Sequence, residues 1–186
     1  MNNMNNLIEK QLKREEIFKG NVLHVVRDTV ELPNGKPATR EVCLHIGAVA
    51  IIALTDDGQV IVERQFRYPH GKVFLEIPAG KLDTKDEIPL EAAKRELREE
   101  TGALAEKFTY LGRLIPSVAI LSEVIHLYLA EGLTFGEREL DEDEFLDVEK
   151  IPLDTLYEMV LRGEIEDAKT QIAVLKAYAI KKGSEA

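Results

Sequence analysis

Three things are scarce in this chain, and each scarcity closes off a class of protein. Only one of its 186 residues, Cys43, is a cysteine. An intrachain disulfide framework of the kind that staples small secreted scaffolds is therefore excluded. Cys43 stands in an apolar, strand-like stretch and is expected to be a small buried residue. Blocks of lysine and arginine are also missing, and the net charge is −10. A protein that tracks a phosphate backbone carries a basic stripe, so nucleic acid is not an expected partner. Finally, no run approaches the roughly 20 apolar residues needed to span a membrane. The opening Met1–Asn6 is polar and lacks the apolar centre of a signal peptide. These absences predict a cytoplasmic protein with no membrane partner. What is present is ample: 45% of residues are hydrophobic, enough for a substantial core in one domain or a domain with a small extension. The surplus of acid suits a cation site, although an ordinary soluble surface also carries such a surplus.

Residues 1–12 are predicted frayed or helical. Ile17-Phe18, a turn at Lys19-Gly20-Asn21, Val22–Val30, the turn Leu32–Lys36 and Thr39–His45 predict a short antiparallel sheet of about three strands. Gly47–Leu54 is a dense apolar run, as expected of a buried central strand. Asp56-Asp57-Gly58 turns it into a strand over Gln59–Phe66. Val73–Ile77 leads to a turn at Pro78-Ala79-Gly80. Further strands are predicted over Phe108–Leu114, Val124–Ala130 and Phe145–Ile151, with a very acidic loop at Glu137–Glu144. A helix opens at Pro152-Leu153-Asp154, and a final helix begins at Asp167 or Thr170 and runs to about Lys181. Strands and helices alternate irregularly, which predicts an α/β fold with helices flanking a mixed sheet.

The densest chemistry lies between Glu87 and Glu100, predicted as one helix. Positions three and four apart are neighbours on a helix, so Glu96, Glu99 and Glu100 fall within one arc. Leu90, Ala93, Leu97 and Thr101 form the adjacent stripe, which should face the core. Such a charge run is ordinarily a solvated face. Yet like charges at this spacing cost stability, and a bound cation would relieve them. An oxygen-only ligand set suits Mg²⁺ or Mn²⁺ rather than zinc. Arg95 lies four residues before Glu99, within reach of a carboxylate whose rotamer it would hold.

The order Gly80…Glu87…Arg95-Glu96-Leu97-Arg98-Glu99-Glu100-Thr101-Gly102-Ala103 resembles the Nudix box. That box reads Gly, five residues, Glu, seven residues, then Arg-Glu-apolar-any-Glu-Glu-any-Gly-apolar. Glu87 and Arg95 have the family spacing, whereas six residues rather than five separate Gly80 from Glu87. The extra residue falls in the Asp83–Asp86 loop, outside the helix. The resemblance implies a Nudix α/β/α sandwich over residues 46–186 and an N-terminal β-sheet extension over 1–45 for dimerisation and nucleoside binding. It also implies metal ligation by Glu96, Glu99, Glu100 and the carbonyl of Ala79, with Glu87 acting through water or orienting its loop.

Over roughly residues 16–180 the chain is similar to the ADP-ribose pyrophosphatase branch of that family. There the acidic loop supplies the base for water, which implies Glu144, with Glu142 as second choice. Ile17-Phe18-Lys19-Gly20 resembles the first strand, whose aromatic stacks on adenine across a dimer, and this points to Phe18. Gln65-Phe66-Arg67-Tyr68 resembles the Gln-aromatic-Arg segment, so Arg67 is expected to hold a phosphate and Glu76 to meet the nucleoside end. Arg40 and Arg64 are within range of the same cleft, with surface pairing the simpler role for each. Ser117 and Glu123 bracket a substrate loop, but this chain lacks the Ser-Pro-Gly common there, which changes its backbone freedom. The implied activity is Mg²⁺-dependent hydrolysis of a nucleoside diphosphate sugar by a homodimer, ADP-ribose giving AMP and ribose 5-phosphate. The alternatives are GDP-mannose or another nucleotide sugar, damaged nucleoside triphosphates, a non-catalytic nucleotide-sensing module, and a purely structural acidic domain. Retention of all three Glu residues and the lack of a basic helix-turn-helix segment argue against the sensor.

Overall fold

A computed structural model describes residues 7–140 and 145–184 of the chain. It falls into two compact units. The first takes the chain up to Ile46 together with Ser117–Glu123, and the second takes Gly47–Pro116 and Val124 onward.

In the first unit, β1 (Lys10–Lys19), β2 (His24–Glu31) and β3 (Pro37–Leu44) form an antiparallel meander in that order. β1 begins at Lys10, so the expectation of a frayed or helical start through residue 12 is corrected there. Its residues are all exposed, so no apolar alternation betrays the strand. Its pairing shows instead in cross-strand charges. Arg14 lies opposite Asp28 in the register and bonds it with both ends of its fork, at 2.8 and 2.7 Å. Ser117–Glu123 lies along β3: the Cys43 N–H donates to the Ile120 carbonyl at 2.7 Å, and the Ser122 N–H to the Cys43 carbonyl at 3.0 Å. Cys43 is half-buried rather than buried.

The second unit is a seven-stranded mixed sheet covered on both faces by helices, an α/β/α sandwich. The path runs β10 (Leu146–Pro152), β5 (Gln59–Arg67), β4 (Ala48–Leu54), β9 (Ile125–Phe135) and β8 (Ala103–Leu114). β6 (Lys72–Glu76) adds to β5, and β7 (Ala79–Lys81) adds to β4. Among the described residues of this sheet, β4 and β9 run parallel and the other strand pairs antiparallel. Every residue of β4 is buried because both its faces are covered. Ala48, Ala50, Ile52 and Leu54 join one apolar cluster with α2 (Leu153–Leu161) and α3 (Ala168–Ser184). Val49, Ile51 and Ala53 join the other, with α1 (Pro89–Thr101). This alternation is the strand's period of two read directly as two cores.

Several expected boundaries move: β8 begins at Ala103 rather than Phe108, and β9 runs on to Phe135 rather than ending at Ala130. Pro78-Ala79-Gly80 is not a free turn: Ala79 and Gly80 pair with Ala50 and Val49 as the start of β7, and the Ile51 N–H donates to the Pro78 carbonyl at 2.8 Å. The helix starts at Pro89, not Glu87. Proline's fixed φ and missing N–H suit the first helical position and mark the boundary.

Candidate active site

α1 is set down on the sheet by its small and apolar face. Ala92, Ala93 and Leu97 are fully buried in the cluster of Val49 and Ile51, with Leu90 half-buried beside them. Thr101 is also buried, so the predicted stripe faces the core. The helix ends at Gly102, with φ +70° and its N–H on the Arg98 carbonyl at 2.8 Å. A side chain there would be strained and would meet the Gly136 carbonyl at 2.5 Å, so glycine is required.

The next edge carries the acids. Glu96 and Glu100 are buried, at 9% and 4% exposure, while Glu99 is half-buried. Both buried carboxylates are turned to the start of β7. The Ala79 N–H donates to Glu100 Oε2 at 2.9 Å. A Cβ on Gly80 would overlap the Glu96 carboxylate, so any other residue there would force that carboxylate to move. Arg95 binds the cluster from the side. Its Nη1 donates to Glu96 Oε1 at 2.7 Å and to Glu99 Oε2 at 3.2 Å, and its Nη2 donates to the Lys81 carbonyl at 3.2 Å. Glu87 lies outside the helix. It accepts the Asp83 N–H at 2.6 Å and two longer bonds from Arg95 at 3.4 Å, closing the loop that holds the extra residue. Burial disfavours the charge on Arg95, but Glu96, Asp83 and Glu87 outweigh it and hold the guanidinium more firmly protonated than usual. Among the described residues no three acidic, histidine or cysteine side chains stand as a ready metal cage. The acids here are engaged with Arg95 and with the Ala79 amide.

A second polar group sits at the β5–β6 edge. Arg67 Nε and Nη2 donate to Glu76 Oε1 and Oε2 at 2.7 and 2.8 Å. Lys169 also bonds Glu76 Oε2, and it lies 3.1 Å from Asp167. Asp167 accepts the Thr170 N–H at 2.9 Å and so caps α3, and Thr170 Oγ1 accepts the Ile77 N–H at 3.0 Å. Glu76 is only 4% exposed. Burial alone would raise its pKa, but the bonds from Arg67 and the charge of Lys169 prevail and hold it below the usual range. Buried Glu63 lies directly opposite Glu76 in the β5–β6 register.

The remaining expected residues are placed as follows. Phe18, on β1, is 55% exposed and not part of a core. Arg40 is taken up by Glu9 and the Thr39 carbonyl, a surface pairing, as Arg64 is by Glu149 at 2.7 Å. Ser117 is half-buried, and Glu123 lies 3.6 Å from His45 Nδ1. Phe18, Arg40, Ser117 and Glu123 belong to the first unit, and the carboxylate helix, Arg67 and Glu76 to the second. Glu142 and Glu144 lie outside the described residues. The loop preceding them is tied to α1, where the Glu139 N–H meets the Glu99 carbonyl at 3.0 Å and Arg98 meets Glu139 Oε2 at 3.1 Å.

Sequence reasoning missed Glu63 and Lys169. Glu63 had a signal, since it interrupts Val60-Ile61-Val62 inside a strand. Lys169 had none, because its partner is 93 residues away.

Comparisons with known proteins bear on the family and the fold. Residues 44–173 match a family described as "NUDIX domain", and residues 9–43 match "Nucleoside diphosphate sugar hydrolase N-terminal domain". The chain is 45% identical over 173 residues to "ADP-ribose pyrophosphatase" of Bacillus subtilis (strain 168), covering 92% of this chain and 93% of that one. It is also 45% identical over 168 residues to "Methanol dehydrogenase activator" of Bacillus methanolicus, covering 89% and 90%. Among solved structures, "Crystal structure of ADP compounds hydrolase" superposes with a TM-score of 0.82 at 24% identity, covering 95% of each chain. At that identity it shows the fold alone.

Proposed function

The chain belongs to the Nudix family of hydrolases, and from that premise we propose that it cleaves the diphosphate bond of a nucleoside diphosphate sugar, ADP-ribose foremost, to AMP and ribose 5-phosphate. One observation carries this most: two buried carboxylates of one helix, Glu96 and Glu100, converge on the backbone of Ala79 and Gly80, with the Glu96 carboxylate in the space a Gly80 side chain would take. Such an oxygen-only set suits a hard divalent cation. Glu96, Glu99, Glu100 and the Ala79 carbonyl would hold Mg²⁺, or Mn²⁺. When bound, such an ion offsets phosphate charge and acidifies a water.

The chain's own groups supply the rest. Arg95 sets the orientation of Glu96 and Glu99. Arg67 spends two of its five N–H groups on Glu76, and the remaining three are donors for a phosphate. A water oxygen attacks one phosphorus, and the bridging oxygen departs with the other phosphate. The proton passes to a carboxylate of the acidic loop, assigned to Glu144 with Glu142 second. A positioned base of this kind is worth about 10²–10⁴-fold. Phe18, Arg40, Ser117 and Glu123 are assigned to substrate recognition. The exposed apolar residues of the first unit, Leu12, Ile17 and Phe18 among them, support a homodimer in which that unit meets a second copy. No helix of the described residues is long and apolar enough to cross a membrane, and the substrate class supports a cytoplasmic setting.

The test is a substrate panel with Mg²⁺ and with Mn²⁺: ADP-ribose, GDP-mannose, UDP-glucose, a dinucleoside polyphosphate and 8-oxo-dGTP, with the phosphate products identified. The expected result is the highest kcat/KM on ADP-ribose, with AMP and ribose 5-phosphate released. Turnover of none of them with either metal overturns the proposal. Preference for GDP-mannose keeps the reaction and changes the sugar.

A further inference from the structure

We propose that Lys169, at the start of α3, is a positioning residue for the phosphate-holding arginine: by bonding Glu76 it holds the Arg67 fork in place. The proposal rests on the reading of Arg67 given above.

Arg67 is a half-exposed side chain whose only bonded partner among the described residues is Glu76. Its aim therefore depends on that carboxylate staying charged and in place. Glu76 is poorly situated for either. It is buried, and it faces a second buried acid, Glu63, across the β5–β6 pair. One guanidinium alone would have to offset that burial. Lys169 supplies the second cation, on Oε2 of the same carboxylate, and is itself only 12% exposed at the side chain. Asp167 holds the ammonium from the other side at 3.1 Å and also caps the helix that carries it.

The start of α3 is tied to the β6 region at two further points. Lys72 pairs with Glu166, at 2.7 Å to Oε1, and Thr170 accepts the Ile77 amide. Simple anchoring of α3 does not need Lys169 to reach Glu76, since these ties already serve it. The Lys72–Glu166 pair offers a control: its side chains bond each other and neither Glu76 nor the Arg67 guanidinium, although Lys72 lies opposite Arg67 in the β5–β6 register.

The experiment uses the full chain with Mg²⁺ and ADP-ribose, measuring kcat and KM separately alongside Tm. Lys169→Met is expected to raise KM about tenfold with kcat within threefold. Lys169→Arg, which keeps the charge, is expected to bring KM back to within threefold of the parent. Glu166→Gln is expected to leave KM within twofold, whatever it does to Tm. Arg67→Ala is expected to raise KM at least as much as Lys169→Met, and the double variant Arg67→Ala/Lys169→Met to add little beyond Arg67→Ala alone, since both act through one group. If Lys169→Met lowers Tm but leaves KM unchanged, Lys169 only anchors the helix and the inference is wrong. The same holds if Glu166→Gln raises KM equally. If Arg67→Ala itself leaves KM unchanged, the assignment of Arg67 fails instead, which is a different result. Should Lys169→Met not fold, Lys169→Gln carries the same expectations.

Discussion

Two polar clusters of the sandwich unit share their bonds between acids and cations in opposite ways. On α1 a single guanidinium, Arg95, is shared among Asp83, Glu87, Glu96 and Glu99. At the β5–β6 edge the buried carboxylate of Glu76 takes bonds from two cations, Arg67 and Lys169, with buried Glu63 opposite it and Asp167 on Lys169. The first cluster is short of positive charge and can accept a cation. The second leaves three Arg67 N–H groups unused by Glu76, donors it can offer to an anion. A metal-bound diphosphate needs both kinds of partner, and one sheet carries both, on β7 with α1 and on β5 with β6.

The largest expected effect comes from weakening the acidic cluster. Glu100→Gln keeps the shape and an acceptor for the Ala79 amide but removes a charge. It should lower kcat by ~10²-fold or more, the scale of losing one positioned group. Circular dichroism and Tm should change little. Full activity in this variant would refute Glu100 as a ligand. Next comes Gly80→Ala, which forces a methyl into the Glu96 carboxylate. Disturbing a ligand's surroundings typically costs about 10–100-fold in metal affinity. Mg²⁺ titration of activity should show a rise of that order in the concentration needed, and an unchanged titration would mean that Glu96 does not bind the ion.

Acid probes the second cluster. Glu76 ionises below the usual range in the folded chain. Its contribution to stability is therefore complete above the unfolded value, about 4.3, and is lost as pH falls through the lower folded value. Tm measured from pH 7 to pH 3 should fall at the acid end, and Glu76→Gln should flatten that fall. Identical acid limbs for the two proteins would show that Glu76 is not held ionised by its partners. The smallest effect on stability is expected outside both clusters. Phe18→Ala removes a ring that is 55% exposed, so Tm should move by no more than about 2 °C. KM for adenine nucleotides should nevertheless rise several-fold. An unchanged KM removes Phe18 from substrate recognition.

Legibility in the sequence followed the range of the interaction. The buried central strand was visible as the apolar run Gly47–Leu54, and the helix as a repeat of three and four. β1 was not visible over Lys10–Glu16, because an exposed strand of charged residues has no apolar alternation and is held by ladder bonds and by pairs such as Arg14–Asp28. Pro78-Ala79-Gly80 looked like a turn because proline and glycine punctuate chains locally. Only the neighbouring β4 makes its second half a strand.

By itself, then, the sequence determined that one helix would present Glu96, Glu99 and Glu100 beside an apolar stripe, because i, i+3 and i+4 neighbours are set by the helix repeat alone. It also determined the two-sided burial of β4, since an unbroken apolar run is stable only when covered on both faces. The tertiary structure alone decided that Glu100 would take the Ala79 amide and that Lys169 would reach Glu76, 93 residues away. Those contacts depend on where the sheet sets each helix down, and no local periodicity encodes that distance.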